Sequence, residues 1–381
     1  MKSSFCKGVI GLSAILLAVS AQAEKWSPDW GVGAEVTFDD NFLMRENEQD
    51  TWVYQVTPSL GVNYESPVAF SSFKALYDVK RYSEFDEFDS EDPHVTWDTS
   101  YQQQRVTWLF SAGYHEYSQR DLAEEDTGEF DTTTVVETIS VRPGVIVQVG
   151  ERDELQLSLG YSERDYDASD FADNDNESVA LSWRHAFSRV LAGEISGSFS
   201  NYFAEIAGLE ETDTDYLTAS LGIIYNVSEV LTFNASAGYF EIDQELTLLV
   251  PATVIETDDS GGVVEMGFNY ETENNKWSLT LSRSLYPSSQ GEIDERDSVS
   301  ASWVRQLSKR TSAGLSGLWS DTSSDDLNAD GREVTRLQPF YAYKLTPKLE
   351  MKASYTFLSF DRPTGVQVES NRFNLGLQYQ F

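Results

Sequence analysis

Cysteine is all but missing from this chain, and its one copy, Cys6, lies in an N-terminal segment expected to be cleaved on export. No disulfide framework is therefore expected. Basic residues are few, 27 Lys and Arg against 63 Asp and Glu, for a formal net charge of -36. That balance excludes nucleic acid as a partner, because phosphate binding needs basic surface. Histidine is scarcer still: His94, His115 and His185 are the full set of three. They fall on different segments, and no Ser or Asp spacing completes a triad with them, so no enzymatic activity is expected. Beyond the N-terminus no stretch approaches the roughly 20 apolar residues of a membrane helix, so any crossing of a bilayer must be by strands.

What is present begins with a leader. Lys2 and Lys7 flank a basic start that runs into VIGLSAILLAVSA and closes on Ala21-Gln22-Ala23. The pattern is that of a secretory signal peptide over residues 1–23, since the apolar run is too short for a retained helix and an A-x-A site ends it. Residues 24–381 remain as one domain.

That domain is dominated by period-two alternation. Trp52, Tyr54, Val56, Leu60, Val62 and Tyr64 alternate with Thr51, Gln55, Thr57, Ser59, Gly61 and Asn63. Leu231, Phe233, Ala235, Ala237 and Tyr239 do the same against Thr232, Asn234, Ser236 and Gly238. Segments of this kind last about nine to eleven residues, the length of a tilted membrane strand. Counting them, with starts such as Val95, Ser178, Tyr216 and Val264, gives about 18, with 16 as the nearest alternative.

The links alternate too. ESPVAFSS, QQR, VGERDE, FSR, NVSE, TENNK, LSKR and TPK are short, and those between them are longer and acidic, as in FDEFDSEDP, DYDASDFADNDNE and EETDTD. The acidic runs read as solvated loops. Short turns at one end and long loops at the other mark an all-β, antiparallel, up-and-down transmembrane β-barrel of the bacterial outer membrane. A soluble sandwich shares the period but not the alternation of loop length.

Aromatics near segment ends, Trp30, Tyr64, Trp277 and Trp303 toward the short turns and Phe38, Trp52, Trp97 and Tyr355 toward the long loops, read as two interfacial girdles. Pro58, Pro143 and Pro339 fall inside strands, where a missing N–H breaks a ladder bond, and bulges are the expected accommodation. The final segment, NRFNLGLQYQF, puts Phe373, Leu375, Leu377, Tyr379 and Phe381 on one face. It is expected to close the barrel against the first strand, and it resembles the C-terminal insertion signature of outer-membrane proteins. The resemblance makes Tyr379 and Phe381 an assembly signal read by the barrel-assembly machinery.

The stretch GAEVTFDDNFLMRENEQDTWVYQVTPSLGVNYES, with Asp40, Asn41, Pro58, Ser59 and Leu60 in it, resembles the outer-membrane β-barrel porins found with bacterial exopolysaccharide systems. That resemblance implies a channel taking part in polysaccharide export or surface assembly, with export components as partners beside outer-membrane lipid and lipopolysaccharide. It carries over no catalytic residues.

Alternation puts Lys74, Lys80, Arg142, Arg164, Arg184, Arg336, Lys344, Lys352 and Arg372 on the lumen face. Such a row reads either as a path for an anionic solute or as one half of a space-filling ion-pair network. Asp326, Asn328 and Asp330, followed by Gly331, copy the first half of a calcium loop, but the twelfth position is Leu337 rather than glutamate. A solvated turn is the competing account, so no cofactor is expected unless calcium binds there. A plugged barrel without transport is the alternative to a channel, with LTLLVPATVIE as the segment expected to fold inward.

Overall fold

Alternating side chains suit a pleated strand with one face in lipid and the other in water, and closure is what removes the two free edges of such a sheet. The computed structural model, which describes residues 25–123, 128, 130–168, 171–249, 251–289, 291, 293–323, 331–361 and 366–381, shows that solution. Its strands are β1 (Lys25–Asp39), β2 (Thr51–Glu65), β3 (Ala69–Tyr82), β4 (Ser90–Gln103), β5 (Val106–Ser118), β6 (Val135–Gln148), β7 (Asp153–Tyr166), β8 (Asp173–Ala186) and β9 (Leu191–Ile206). The second half supplies β10 (Glu210–Ser228), β11 (Leu231–Leu249), β12 (Ala252–Glu271), β13 (Asn275–Pro287), β14 (Ile293–Ser308), β15 (Thr311–Ser323), β16 (Arg332–Thr346), β17 (Leu349–Asp361) and β18 (Gln367–Gln380). Each pairs antiparallel with its sequence neighbours in one 18-stranded sheet, and β1 pairs with β18 to close it.

The closing register runs from Gly31 opposite Gln380 to Asp39 opposite Arg372. Phe381 continues it with a backbone hydrogen bond from its N to the Trp30 carbonyl, 3.0 Å, and its ring lies 5.5 Å from Trp30 and 4.8 Å from Tyr379. Aromatic pairs recur around both rims: Trp26 with Tyr64 and Trp277 with Trp303 near the short turns, Phe38 with Trp52 and Tyr355 with Phe373 near the long loops. Between them the outward rows are apolar, as with Leu217, Leu221, Ile223 and Tyr225 on β10, all exposed. A membrane-spanning barrel needs such a belt.

Several expectations need correction. Pro58, Pro143 and Pro339 sit without bulges. The β2–β3, β6–β7 and β16–β17 ladders each skip the proline and the residue before it and then resume in the same register, Val56 with Val79 and then Ser59 with Leu76 in the first case. Each strand residue points its N–H and C=O to one neighbour only, so a proline costs one side of the ladder and leaves the other intact. Pro58 remains opposite Val32, Pro143 opposite Phe110 and Pro339 opposite Leu315. The register shifts of this second half fall instead at Asn226/Ser228, Gln306/Ser308 and Lys344/Thr346, each beside a short turn.

Strands also begin earlier than the apolar alternation suggests. β4 starts at Ser90, β8 at Asp173, β10 at Glu210 and β12 at Ala252, so much of the acidic sequence read as loop is paired strand. Backbone pairing does not stop where the lipid does, and polar side chains mark the water-exposed part of the same ladder. Trp97 accordingly lies well inside β4, its Nε1 donating to Ser71 Oγ at 3.1 Å, toward the short turns rather than the outer girdle. Leu246 pairs with Ile255 in the β11–β12 hairpin, which runs on past the pairing of β12 with β13 and keeps β10 as a partner as far as Leu248 opposite Glu210. Among the described residues LTLLVPATVIE is therefore paired strand, not an inward plug.

Candidate functional site: the lumen and its mouth

Residues that alternate away from the apolar belt face the lumen, and they divide it into unlike walls. On β9, β10 and β13–β15 this face is rich in hydroxyls: Ser196, Ser198 and Ser200, then Ser220, Ser278, Ser282, Ser298 and Ser302. Cross-strand pairs bond one another, Ser196 to Ser220 at 2.6 Å, Ser278 to Ser302 at 2.7 Å and Ser282 to Ser298 at 2.8 Å. Sequence reasoning missed this wall. The signal was there in ISGSFS and SVSASW, where serine takes every second place.

The basic candidates all share the parity of the lumen face, but they do not behave alike. Lys80 reaches Asp92 at 3.3 Å and Asp121, and Arg372 Nε donates to Asp39 Oδ2 at 2.8 Å. Arg164 and Arg336 have interaction partners as well. Lys352 lies 5.0 Å from the centre of the Phe340 ring. Lys74, Arg142, Arg184 and Lys344 make no ion pair with any of the described residues. The row is thus partly a network and partly free charge.

A recess of about 300 Å³ opens at the closing seam, between Gly33 and Gly376, with Glu35, Gln55, Glu350 and Lys352 around it. A Cβ at Gly33 would lie 2.8 Å from Gln378 Oε1 and would push that side-chain end aside into the recess.

The mouth at the long-loop end is narrowed by loops that fold inward. A helical turn, α1 (Gln119–Leu122), follows β5, and the chain after it carries Ala123 and Phe130 against Met44, Val334, Leu358, Phe360 and Val368, a cluster drawn from the far wall. Phe42, Leu43, Tyr82 and Phe88 form a second cluster and Ala172, Tyr202 and Ala204 a third. Loops also meet each other: Ala172 N donates to the Ser289 carbonyl at 3.0 Å, and Tyr202 Oη to that of Ser288 at 2.9 Å. Among the described residues the largest buried apolar side chains are here, not in the belt. The sequence signal was Phe42-Leu43-Met44 inside an otherwise polar loop.

Asp39 is the hub of this region. It is 2% exposed; its Oδ1 accepts from Asn41 N at 3.0 Å and Ser370 Oγ at 2.7 Å, and its Oδ2 faces Arg372 and, at 3.7 Å, Arg120. Arg120 lies over the Phe42 ring, 3.6 Å from its centre. The Asp40-Asn41 pair has a structural role next to it. Asp40 accepts from Asn371 N at 2.6 Å and Nδ2 at 2.8 Å, while Asn41 Nδ2 donates to the carbonyls of Arg45 and Glu369, both 2.9 Å. These bonds tie the outer end of β1 to that of β18.

No family model matches the sequence, and no curated protein does. Among solved structures the chain is similar to the ferric citrate transporter FecA in its unliganded form, at 12% identity and a TM-score of 0.48 over 88% of this chain and 60% of that one. It therefore spans less than two thirds of FecA. OccAB4 of Acinetobacter baumannii gives 13% identity and a TM-score of 0.49, over 93% of this chain and 98% of that one. The outer membrane protein OpdK of Pseudomonas aeruginosa gives 10% and 0.45, over 93% and 99%.

Asp326, Asn328 and Asp330 lie outside the described residues, as does the leader at residues 1–23. Glu333, the nearest substitute for the missing twelfth ligand, accepts from Trp319 Nε1 at 2.7 Å. His94 and His115, which sequence spacing kept on separate segments, are brought side by side, whereas His185 is paired with Asp153 at 2.7 Å.

Proposed function

We propose that the protein is an outer-membrane channel for small hydrophilic solutes, with a preference for anions, and that inward loops narrow its outer mouth. The observation that carries this is the lumen, where hydroxyls on β9, β10 and β13–β15 share the wall with cations that make no ion pair with any of the described residues, Lys74, Arg142, Arg184 and Lys344. Hydroxyls exchange hydrogen bonds with a hydrated solute at little cost, and unpaired ammonium or guanidinium groups attract anions. A barrel of this strand number encloses water rather than a packed core.

The resemblance of the first hairpin to porins of exopolysaccharide systems supports a narrower role, a part in export or surface assembly of polysaccharide alongside export components. Outer-membrane lipid and lipopolysaccharide would surround the belt, and the barrel-assembly machinery would insert it. A plugged structural barrel is the second reading, favoured by the buried clusters at the mouth.

Purified protein in planar bilayers separates these. A stable conductance whose reversal potential in a salt gradient favours anions, lowered in Lys74→Glu/Arg142→Glu, supports the channel. Silence in the full chain, with conductance appearing once residues 119–134 are shortened, supports the plug. Cation preference unaffected by the double substitution would refute the proposed selectivity.

A further inference from the structure

His94 on β4 and His115 on β5 are directly opposite in the ladder, and both side chains point into the lumen. Their Nδ1 atoms face each other at 3.2 Å. Two metal–imidazole bonds of about 2.0–2.1 Å at a tetrahedral angle put their nitrogens about 3.3–3.4 Å apart. The gap already has the span of a bound ion.

The surroundings set the ring electronics for that purpose. His94 Nε2 faces Asp78 Oδ2 at 3.5 Å. A proton held on Nε2 toward this carboxylate leaves the Nδ1 lone pair aimed at the gap, the arrangement that orients ligating histidines and raises their basicity. Asp78 is itself fixed, accepting from Gln55 Nε2 at 2.9 Å and from Thr57 Oγ1. Tyr117 stacks on His115 with ring centres 5.6 Å apart and an interplanar angle of 14°, which holds the second imidazole in place. The pair opens on a recess of about 260 Å³ that also meets Lys74 and Thr96. Such a recess has room for coordinated water.

We propose that His94 and His115 form a lumen-side site for a borderline divalent transition metal ion, with Zn²⁺ as the representative case and Asp78 as the positioning residue behind His94. Among the described residues no group of three or more His, Cys, Asp or Glu converges on one point, so two imidazoles supply the protein ligands and water completes the shell. Two nitrogens select for Zn²⁺, Ni²⁺ or Cu²⁺ over Mg²⁺ and Ca²⁺, which prefer oxygen. With open positions facing the pore, a bound ion adds positive charge beside Lys74 and reaches passing carboxylates or phosphates directly.

The test is binding of Zn²⁺ to the folded, detergent-solubilised protein by competition with a chromogenic chelator, with Mg²⁺ in excess to occupy the surface acids. Expected is one site of the wild type lost in both His94→Gln and His115→Gln, and weakened about tenfold in Asp78→Asn. His185→Gln leaves it unchanged. Heat-modifiable mobility on gels reports folding of each variant, and Ni²⁺ protection of His94 and His115 from diethylpyrocarbonate in the wild type gives a readout that needs no variant. Equal Zn²⁺ stoichiometry in wild type and His115→Gln, or carbethoxylation of both rings at the same rate with and without Ni²⁺, would overturn the proposal. Neither readout depends on conductance, so failure here is distinct from failure of the channel assignment.

Discussion

Replacing Asp39 by alanine tests whether the mouth is held shut by a charge. The carboxylate is 2% exposed and Arg120 7%, so removing the acid leaves two guanidinium groups, Arg120 and Arg372, with less compensation than they need. Breaking a buried pair in this way costs about 3–5 kcal/mol. Most of that falls on Arg372, whose bond is 2.8 Å, and the share holding the loop is the longer 3.7 Å contact to Arg120. At that length the share is no more than about 0.5–1.5 kcal/mol, the net worth of an ordinary hydrogen bond, or roughly a 2- to 13-fold rise in the population with the loop released. The loop keeps its apolar anchors Ala123 and Phe130, so release is transient. Trypsin offers the assay, because Arg120 is hidden and Arg105, exposed in the short turn at the opposite end of the barrel, is an internal control. Cleavage after Arg120 should accelerate within this range in Asp39→Ala and less in Asp39→Asn, while cleavage after Arg105 changes little. Folded Asp39→Ala with wild-type cleavage after Arg120 would refute the latch.

Deleting Phe381 removes about 1.5–3 kcal/mol of apolar burial at most, and its ring is 61% exposed to the surroundings of the barrel, so finished protein should keep its melting behaviour. Insertion should fall more than in Leu375→Ala, measured as heat-modifiable protein in the outer membrane; equal insertion would reduce Phe381 to a lipid-facing side chain. Asn371→Ala keeps the backbone N–H bond to Asp40 but removes the Nδ2 bond to it and the acceptor of the Tyr355 hydroxyl, and should lower the unfolding temperature on gels by a few degrees, while Gln378→Ala at the other end of the same strand does not. Cysteine at Asp213 should react with an impermeant maleimide on intact cells and cysteine at Ser308 should not; the reverse pattern would invert the barrel.

The alternation of the belt was legible because lipid imposes one demand on every second residue for the whole crossing. From it came the strand number, the closing role of Phe373 to Phe381 and the parity of all nine basic residues. What lay outside the lipid was less legible. EETDTD has no apolar period, yet Glu210 to Asp215 pair with Ile206 to Asn201, since backbone hydrogen bonds are indifferent to the side chains above them. The mouth was hidden for the opposite reason: Phe42-Leu43-Met44 and Phe130 are short apolar interruptions of polar loops, and their partners lie on other loops and strands, Tyr82 and Phe88 for Phe42 and Val334, Leu358, Phe360 and Val368 for Phe130. For the histidines, separation in sequence concealed a register that sets residue 94 against 115.

The unlike walls of the lumen have an electrical consequence. Lys74 and Arg142 on the β3–β6 arc and neutral hydroxyls on the β9–β15 arc would set up a field across the pore, perpendicular to the membrane voltage. A solute with an acid group at one end and hydroxyls at the other would be turned by such a field so that it travels broadside, its charge sliding along Lys74 and Arg142 while its hydroxyls trade partners with Ser198 and Ser220. The barrel would then sort molecules by the angle between their dipole and the pore axis as well as by net charge, a distinction that a uniformly basic pore does not make.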